Sequence, residues 1–207
     1  MRSIAKLMKD WQFTGPDGVT AAVALPHTWN AVDGQDGGND YWRGTCTDCT
    51  SFAAPAFDPA QQQVWLQFEG VNSSATVLLN GQQLCTHDGG YSTFRAEITE
   101  LLQAENQLTV QVDNSVNDRV YPQKADFTFY GGIYRDVSLL VVNKNHIALG
   151  HFGDTGVKIT PALKEGSADI QVETLVEGEG TVAVELLDAE GSTVAKGEGP
   201  KASLHLD

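Results

Sequence analysis

The sequence predicts an all-β protein: an antiparallel β-sandwich followed by a second, partial β module. Three observations predict it. Short stretches alternate apolar and polar residues: Val64, Leu66 and Phe68 against Trp65, Gln67 and Glu69, and Leu108, Val110 and Val112 against Thr109, Gln111 and Asp113. That period of two buries one face of a strand and leaves the other wet. Asn80-Gly81 stands between Thr76–Leu79 and Gln82–Cys85, a strong hairpin signal because both turn positions need φ > 0. No convincing long helix breaks the pattern, and 21 glycines and seven prolines punctuate the 207 residues, as many strands and turns require.

Taken in order, the chain opens with Met1–Asp10, which is basic but has no apolar h-region. It does not read as a signal peptide, so a cytoplasmic location is expected. Residues 11–50 read as irregular. They carry Leu25-Pro-His-Thr-Trp-Asn30, the glycine-rich Asp33–Asp40 and Tyr41-Trp-Arg-Gly44. The glycine-rich run lacks the Gly-Lys-Ser/Thr ending of a phosphate loop and carries acidic residues instead. Strands are expected from Phe52 onward, with one helical turn possible between Thr99 and Asn106.

Asp113 to Gly132 is the longest break between strand patterns. Such connections are uncommon in compact domains and are often functional. It ends in Asp126-Phe-Thr-Phe-Tyr-Gly-Gly-Ile-Tyr-Arg-Asp136, an acidic residue, aromatics and a glycine pair leading into a strand. That strand is expected to place Ile133, Arg135, Val137, Leu139 and Val141 on one face. Adjacent glycines imply φ > 0 or a close backbone approach. Arg135 and Asp136 are expected to form a structural pair or network.

Composition shifts near Lys144. Of 17 aromatics, only Phe152 lies beyond residue 143, which divides the chain into 1–143 and 144–207. The tail reads as strands at residues 157–159, 170–174, 182–186 and 204–206. A seven-stranded sandwich takes about 100 residues, so 144–207 reads as a truncated one. An open edge and an uncovered apolar face are then expected, leaving it weakly ordered or paired with another copy.

The formal net charge is −14, from 13 Lys+Arg against 27 Asp+Glu. Such a surface repels phosphate backbones and anionic head groups, so neither nucleic acid nor membrane is an expected partner. Three cysteines argue against a disulfide framework. Cys46-Thr-Asp-Cys49 lacks the second pair of a zinc ribbon and the βαβ setting of a redox site. The five histidines show no ligand spacing, and no Gly-x-Ser-x-Gly elbow is present. No metal site is predicted. Asp113, Asp118 and Asp126 share one loop and are the carboxylates to weigh. Tyr41, Trp42, Tyr121, Phe127, Phe129 and Tyr130 lie in loop-like stretches, where rings either stack on sugars or fill the core.

At these motifs the chain resembles glycoside hydrolase family 2, the family of β-galactosidase, β-glucuronidase and β-mannosidase. Leu25–Asn30 with Asp33–Gly38, Tyr41–Gly44, Phe68-Glu-Gly-Val-Asn-Ser73 leading to Leu79–Gly81, Gly90–Phe94 and Asp126–Val137 carry the resemblance. It covers residues 10–143 well. It implies a galactose-binding-like jelly-roll sandwich followed by the start of an immunoglobulin-like domain. It also implies that catalysis, with retention, belongs to a later (β/α)₈ barrel whose two glutamates this chain lacks. The isolated chain is therefore expected to be inactive. By motif, Asn72 and Asp126 correspond to residues that contact sugar hydroxyls from the first domain, and Asp126 can ligate an alkali cation together with barrel residues. The chain itself is expected to hold no cofactor, with Na or Mg possible in the full-length parent, which is expected to be a homo-oligomer. The Asp33 motif favours a β-galactoside substrate over a β-glucuronide. A free carbohydrate-binding module or lectin, and a structural or oligomerisation domain, are the rival readings. One departure stands out: an aromatic Trp-Tyr pair, usual in the family, is Thr47-Asp48 here.

Overall fold

The computed structural model describes residues 2–33, 42–121, 128–150 and 153–207. The described residues group into two units, 1–142 and 143–207. In the first, the strands in chain order are β1 (Ser3–Lys6), β2 (Trp11–Thr14), β3 (Thr20–Val23), β4 (Thr45–Ala53), β5 (Gln62–Phe68), β6 (Ser74–Leu79), β7 (Gln82–Asp88), β8 (Phe94–Glu97), β9 (Glu105–Asp113) and β10 (Val137–Asn143). A single 3₁₀ turn, Thr99–Leu101, occupies the place where a helical turn was possible. The strands form a four-stranded sheet, β1-β10-β5-β8, and a six-stranded sheet, β3-β2-β4-β9-β6-β7. This is the galactose-binding-like jelly-roll sandwich.

The period-two residues build the core between the sheets. Val64, Leu66 and Phe68 of β5 and Val137, Leu139 and Val141 of β10 join Val77 and Leu79 of β6 and Leu108, Val110 and Val112 of β9 in one buried cluster. Burying each such side chain contributes about 1.5–3 kcal/mol. At the hairpin, Asn80 and Gly81 have φ of 52° and 81°, the left-handed pair that the Asn-Gly signal predicts. The Asn80 side chain donates to Leu101 O and Asn106 Oδ1 and accepts from Gln107 N, so the turn is also pinned from outside.

Three expectations change. Residues 11–50 are not wholly irregular: β2, β3 and β4 lie there, and β4 is one of the two longest strands of the unit. Its inward residues are Cys46, Asp48, Thr50 and Phe52, too polar to register as a hydrophobic period. The last strand begins at Val137, not Ile133. Residues 138–142 are buried on both faces, so it reads as a continuous apolar run rather than an alternation. Asp136 pairs with Lys6 at 2.5 Å, while the exposed Arg135 places its guanidinium 5.4 Å from the Tyr134 ring centroid. The expected Arg135–Asp136 pair gives way to these two contacts.

The second unit carries β11 (His146–Ile147), β12 (Val157–Lys164), β13 (Ser167–Thr174), β14 (Val176–Glu177), β15 (Ala183–Leu187), β16 (Thr193–Glu198) and β17 (Lys201–Leu206). β12-β13-β17 form one sheet and β15-β16 a hairpin. Val172, Ala202 and Leu204 pack against Val184, Leu186 and Ala195 between them. This small core lies between two β layers, the three-stranded sheet and the hairpin. Ile159 and Leu163 on the edge strand β12 remain 63% and 82% exposed.

Candidate functional site

Three buried asparagines of the first unit, Asn30, Asn72 and Asn114, gather at the ends of the long connection between β9 and β10. Asp126 falls within 122–127, outside the described residues, as do Tyr41 and Phe127. Asn72, between β5 and β6, is 1% exposed. Its backbone exchanges two hydrogen bonds with Gly132: Asn72 N donates to Gly132 O and Gly132 N to Asn72 O, both at 3.1 Å. Its Nδ2 donates to Tyr130 O at 2.8 Å. Its Oδ1 lies 3.4 Å from the Tyr121 hydroxyl, which donates to it. Burial, with Tyr91 beside it, pushes the Tyr121 phenol up, so that hydroxyl keeps its proton at neutral pH. Asn72 retains one amide hydrogen and one lone pair.

Asn30 and Asn114, both fully buried, form a second polar centre. Asn30 Oδ1 accepts from Gly131 N at 2.8 Å and from Asn114 Nδ2 at 3.2 Å. Asn30 Nδ2 donates to Asp33 Oδ2 and Trp42 O, and Asn114 Oδ1 accepts from Gly44 N. Asp33 also accepts from Trp42 N at 3.0 Å. The Asp33 carboxylate thus joins the Asn30 side chain to the Trp42 backbone. Neither the motif around Asn30 nor the sequence around Asn114 signals the pairing of these two.

The glycine pair follows from this crowding. A Cβ on Gly131 would lie 2.3 Å from the Trp29 ring and 2.7 Å from Asn114 Nδ2. Gly132 has φ of +122°, and a Cβ there would meet His27 O at 2.7 Å. Gly90 lies equally close on the other side, where a Cβ would be 2.2 Å from Asn72 Oδ1. Tyr134 donates its hydroxyl to Gly90 O.

Rings surround the Asn72 side. Tyr91 stacks on Tyr121 at 5.1 Å, and Phe129 lies 6.1 Å from Tyr121. Phe129 is buried, whereas Tyr91 and Tyr130 are 51% and 44% exposed. Trp42 packs against Trp29. Asp113 and Asp118 do not converge: Asp113 accepts from Ser115 N, and Asp118 is exposed. Arg119 instead pairs with Asp88 at 3.0 Å. The Ser74 hydroxyl, with Arg119 behind it, holds the Asp88 carboxyl below its usual range.

Cys46 and Cys49 point to opposite faces of β4, the first inward and the second to Thr109 Oγ1 at 3.5 Å. Burial pushes the Cys46 thiol up to about 12. Three residues apart on a strand, the pair cannot chelate or bridge. No group of three or more His, Cys, Asp or Glu side chains arranged for a metal occurs among the described residues. Asp48, at the departure from the family pattern, is fully buried with neither oxygen hydrogen-bonded. His27 Nδ1, its nearest charge partner, is 3.9 Å away.

Residues 42–162 match the family model described as glycosyl hydrolase 2 galactose-binding domain-like. The chain belongs to glycoside hydrolase family 2. It is 32% identical to a β-glucuronidase of Bacteroides fragilis over 209 residues, 96% of this chain and 30% of that enzyme. It is 32% identical to a β-galactosidase of Thermoanaerobacter pseudethanolicus over 139 residues, 63% of this chain and 18% of that enzyme. A crystal structure of an FMN-binding β-glucuronidase from Faecalibacterium prausnitzii L2-6 superposes over the whole chain with a TM-score of 0.91 and 37% identity, covering 34% of that structure. The chain spans less than a third of the length of the curated relatives named here. It corresponds to the N-terminal region of family 2 glycosidases.

Proposed function

We propose that this chain is the non-catalytic N-terminal segment of a retaining family 2 glycosidase, and that it lends substrate-contacting residues to a catalytic barrel elsewhere in the longer protein. Asp126 is the principal contact. An ionised Asp accepts hydrogen bonds from two neighbouring sugar hydroxyls, and charge-assisted bonds are the stronger kind. The observation that carries the reading is family membership, joined to the buried polar anchorage at Asn72 and Gly132 of the stretch next to Asp126. The exposed faces of Tyr91 and Tyr130 suit the apolar C–H side of a pyranose.

For the substrate, the relatives that span nearly all of the chain favour a β-glucuronide. The Asp33 motif and the β-galactosidase relative favour a β-galactoside. Expressed alone, the chain is expected to hydrolyse neither aryl glycoside and to bind neither sugar at millimolar concentration by calorimetry. The longer protein is expected to hydrolyse the aryl β-glucuronide. Turnover by the isolated chain would overturn the non-catalytic reading. Millimolar binding abolished by Asp126→Ala would make it a lectin.

A further inference from the structure

We propose that the outer face of the six-stranded sheet docks against a second copy of this chain, about a two-fold axis that passes near Cys49 and Thr109. The inner residues of this sheet fill the core, and the outer ones stand in register across it. One rung reads Gln12, Cys49, Thr109, Leu78 and Gln83 over five strands. The next runs from Thr14 through Thr47 and Gln111 to Thr86 and is threonine and glutamine throughout. Ser51 and Gln107 continue the pattern on β4 and β9. All of these are exposed or half-buried, and none is charged. Charges stand at the margin. Asp113 and Asp88 lie at one end, the latter paired with Arg119, with Glu105 at the other end and Asp10 at a corner.

The outward strand faces of the second unit are built differently. On β12-β13-β17, Lys158, Glu173 and Lys201 stand in register and pair at 3.8 and 3.9 Å. On the β15-β16 hairpin, Lys196 pairs with Glu185 at 2.7 Å. A neutral field is therefore not this chain's usual way of meeting water. The formal net charge of −14 makes two copies repel, so contact costs least where no carboxylate loses its water. Hydroxyls and carboxamides both donate and accept hydrogen bonds. A field of them is complementary to a rotated copy of itself, which a two-fold interface requires. A field of one charge sign is not. Five strands spaced by about 4.8 Å and three rungs spaced by about 7 Å give a footprint on the order of 500 Å² per copy. The total of about 1,000 Å² is the lower end for a specific interface, so the dimer is a weak one, in the micromolar range.

Sedimentation equilibrium of the 207-residue chain, at low and at high salt, tests this. The chain is expected to dimerise at micromolar concentration and to do so more tightly as salt rises. Salt screens the repulsion between copies, and a neutral face has no ion pairs for it to weaken. Thr109→Lys and Gln111→Lys each set a charge beside the axis, opposite its own copy, and should weaken the dimer at least about tenfold. Gln111 is exposed, so its variant leaves the core intact, and an unchanged urea midpoint confirms folding of both. Gln61→Lys adds the same charge in the loop between β4 and β5 and should leave the dimer as it is. A dimer that Thr109→Lys and Gln111→Lys leave intact uses another surface and overturns the proposal. A chain still monomeric at roughly millimolar concentration, or a dimer that salt loosens, overturns it as well.

Discussion

Asp48→Asn should make the first unit more stable above neutral pH. Asp48 faces inward from β4, paired across strands with Phe13 and Val110. It is fully buried, and no donor reaches either oxygen. Burial pushes its carboxyl up from 3.8 to about 7. In the unfolded chain it ionises near 3.8, so between these values the folded state holds the extra proton. Stability is therefore intact below about pH 4, falls as pH rises toward 7, and stays low above it. The gap of about three pH units corresponds to a ceiling of about 4 kcal/mol. Relaxation around the charge brings the expected loss to about 3 kcal/mol. His27 acts with the opposite sign. Burial lowers its pKa, so its contribution is present above the ordinary 6.5 and lost as pH falls through the lowered value. An amide has the shape of the protonated acid and does not ionise. Urea denaturation at pH 5 and pH 8, read by tryptophan fluorescence, isolates the effect, because all four tryptophans lie in the first unit. About half of that loss is already present at pH 5, so the gain of Asp48→Asn over the parent should be larger at pH 8 than at pH 5 by about 1–2 kcal/mol. A gain that is the same at both pH values would refute the reasoning.

Other outcomes follow from the same packing. Gly132→Ala should cost about 2–3 kcal/mol in the same titration, because it adds a Cβ 2.7 Å from His27 O at a φ of +122°. Leu66→Ala, in the core between the sheets, should cost about 2–5 kcal/mol, whereas Leu163→Ala on the exposed edge should change stability by less than about 0.5 kcal/mol. Treatment with a thiol oxidant should leave Cys46 and Cys49 unbridged within the chain. Non-reducing peptide mapping checks this, and a Cys46–Cys49 peptide would contradict the placement of the pair on opposite faces of β4.

Much of the sandwich was legible because its strands carry their burial in the sequence. β9 alternates in burial as its sequence does, and Asn80-Gly81 marks the hairpin of β6 and β7; β5 alternates in sequence, but Trp65 and Gln67, expected to face water, are buried as well. β4 was hidden, since Cys46, Asp48 and Thr50 face the core without looking apolar. β1 was hidden for another reason: Ser3–Lys6 is exposed throughout and holds its place by pairing with β10, a tertiary fact with no local signature. At the site, the Gly131-Gly132 pair was legible as a close approach, and its partners Trp29, Asn114 and His27 were not. The centre formed by Asn30 and Asn114 joins residues 84 apart in sequence, a pairing that periodicity and spacing do not reveal. A buried asparagine announces itself only when its neighbours are known.

The most direct test of the central claim is the kcat/KM of the longer enzyme toward an aryl β-glucuronide, with Asp126 intact and with Asp126→Ala. A carboxylate that takes hydrogen bonds from the sugar in the transition state should lower kcat/KM at least about a hundredfold when removed, with folding of the variant confirmed by an unchanged urea midpoint. A variant that folds and turns over the glycoside as fast as the parent would contradict the claim that this domain reaches the substrate.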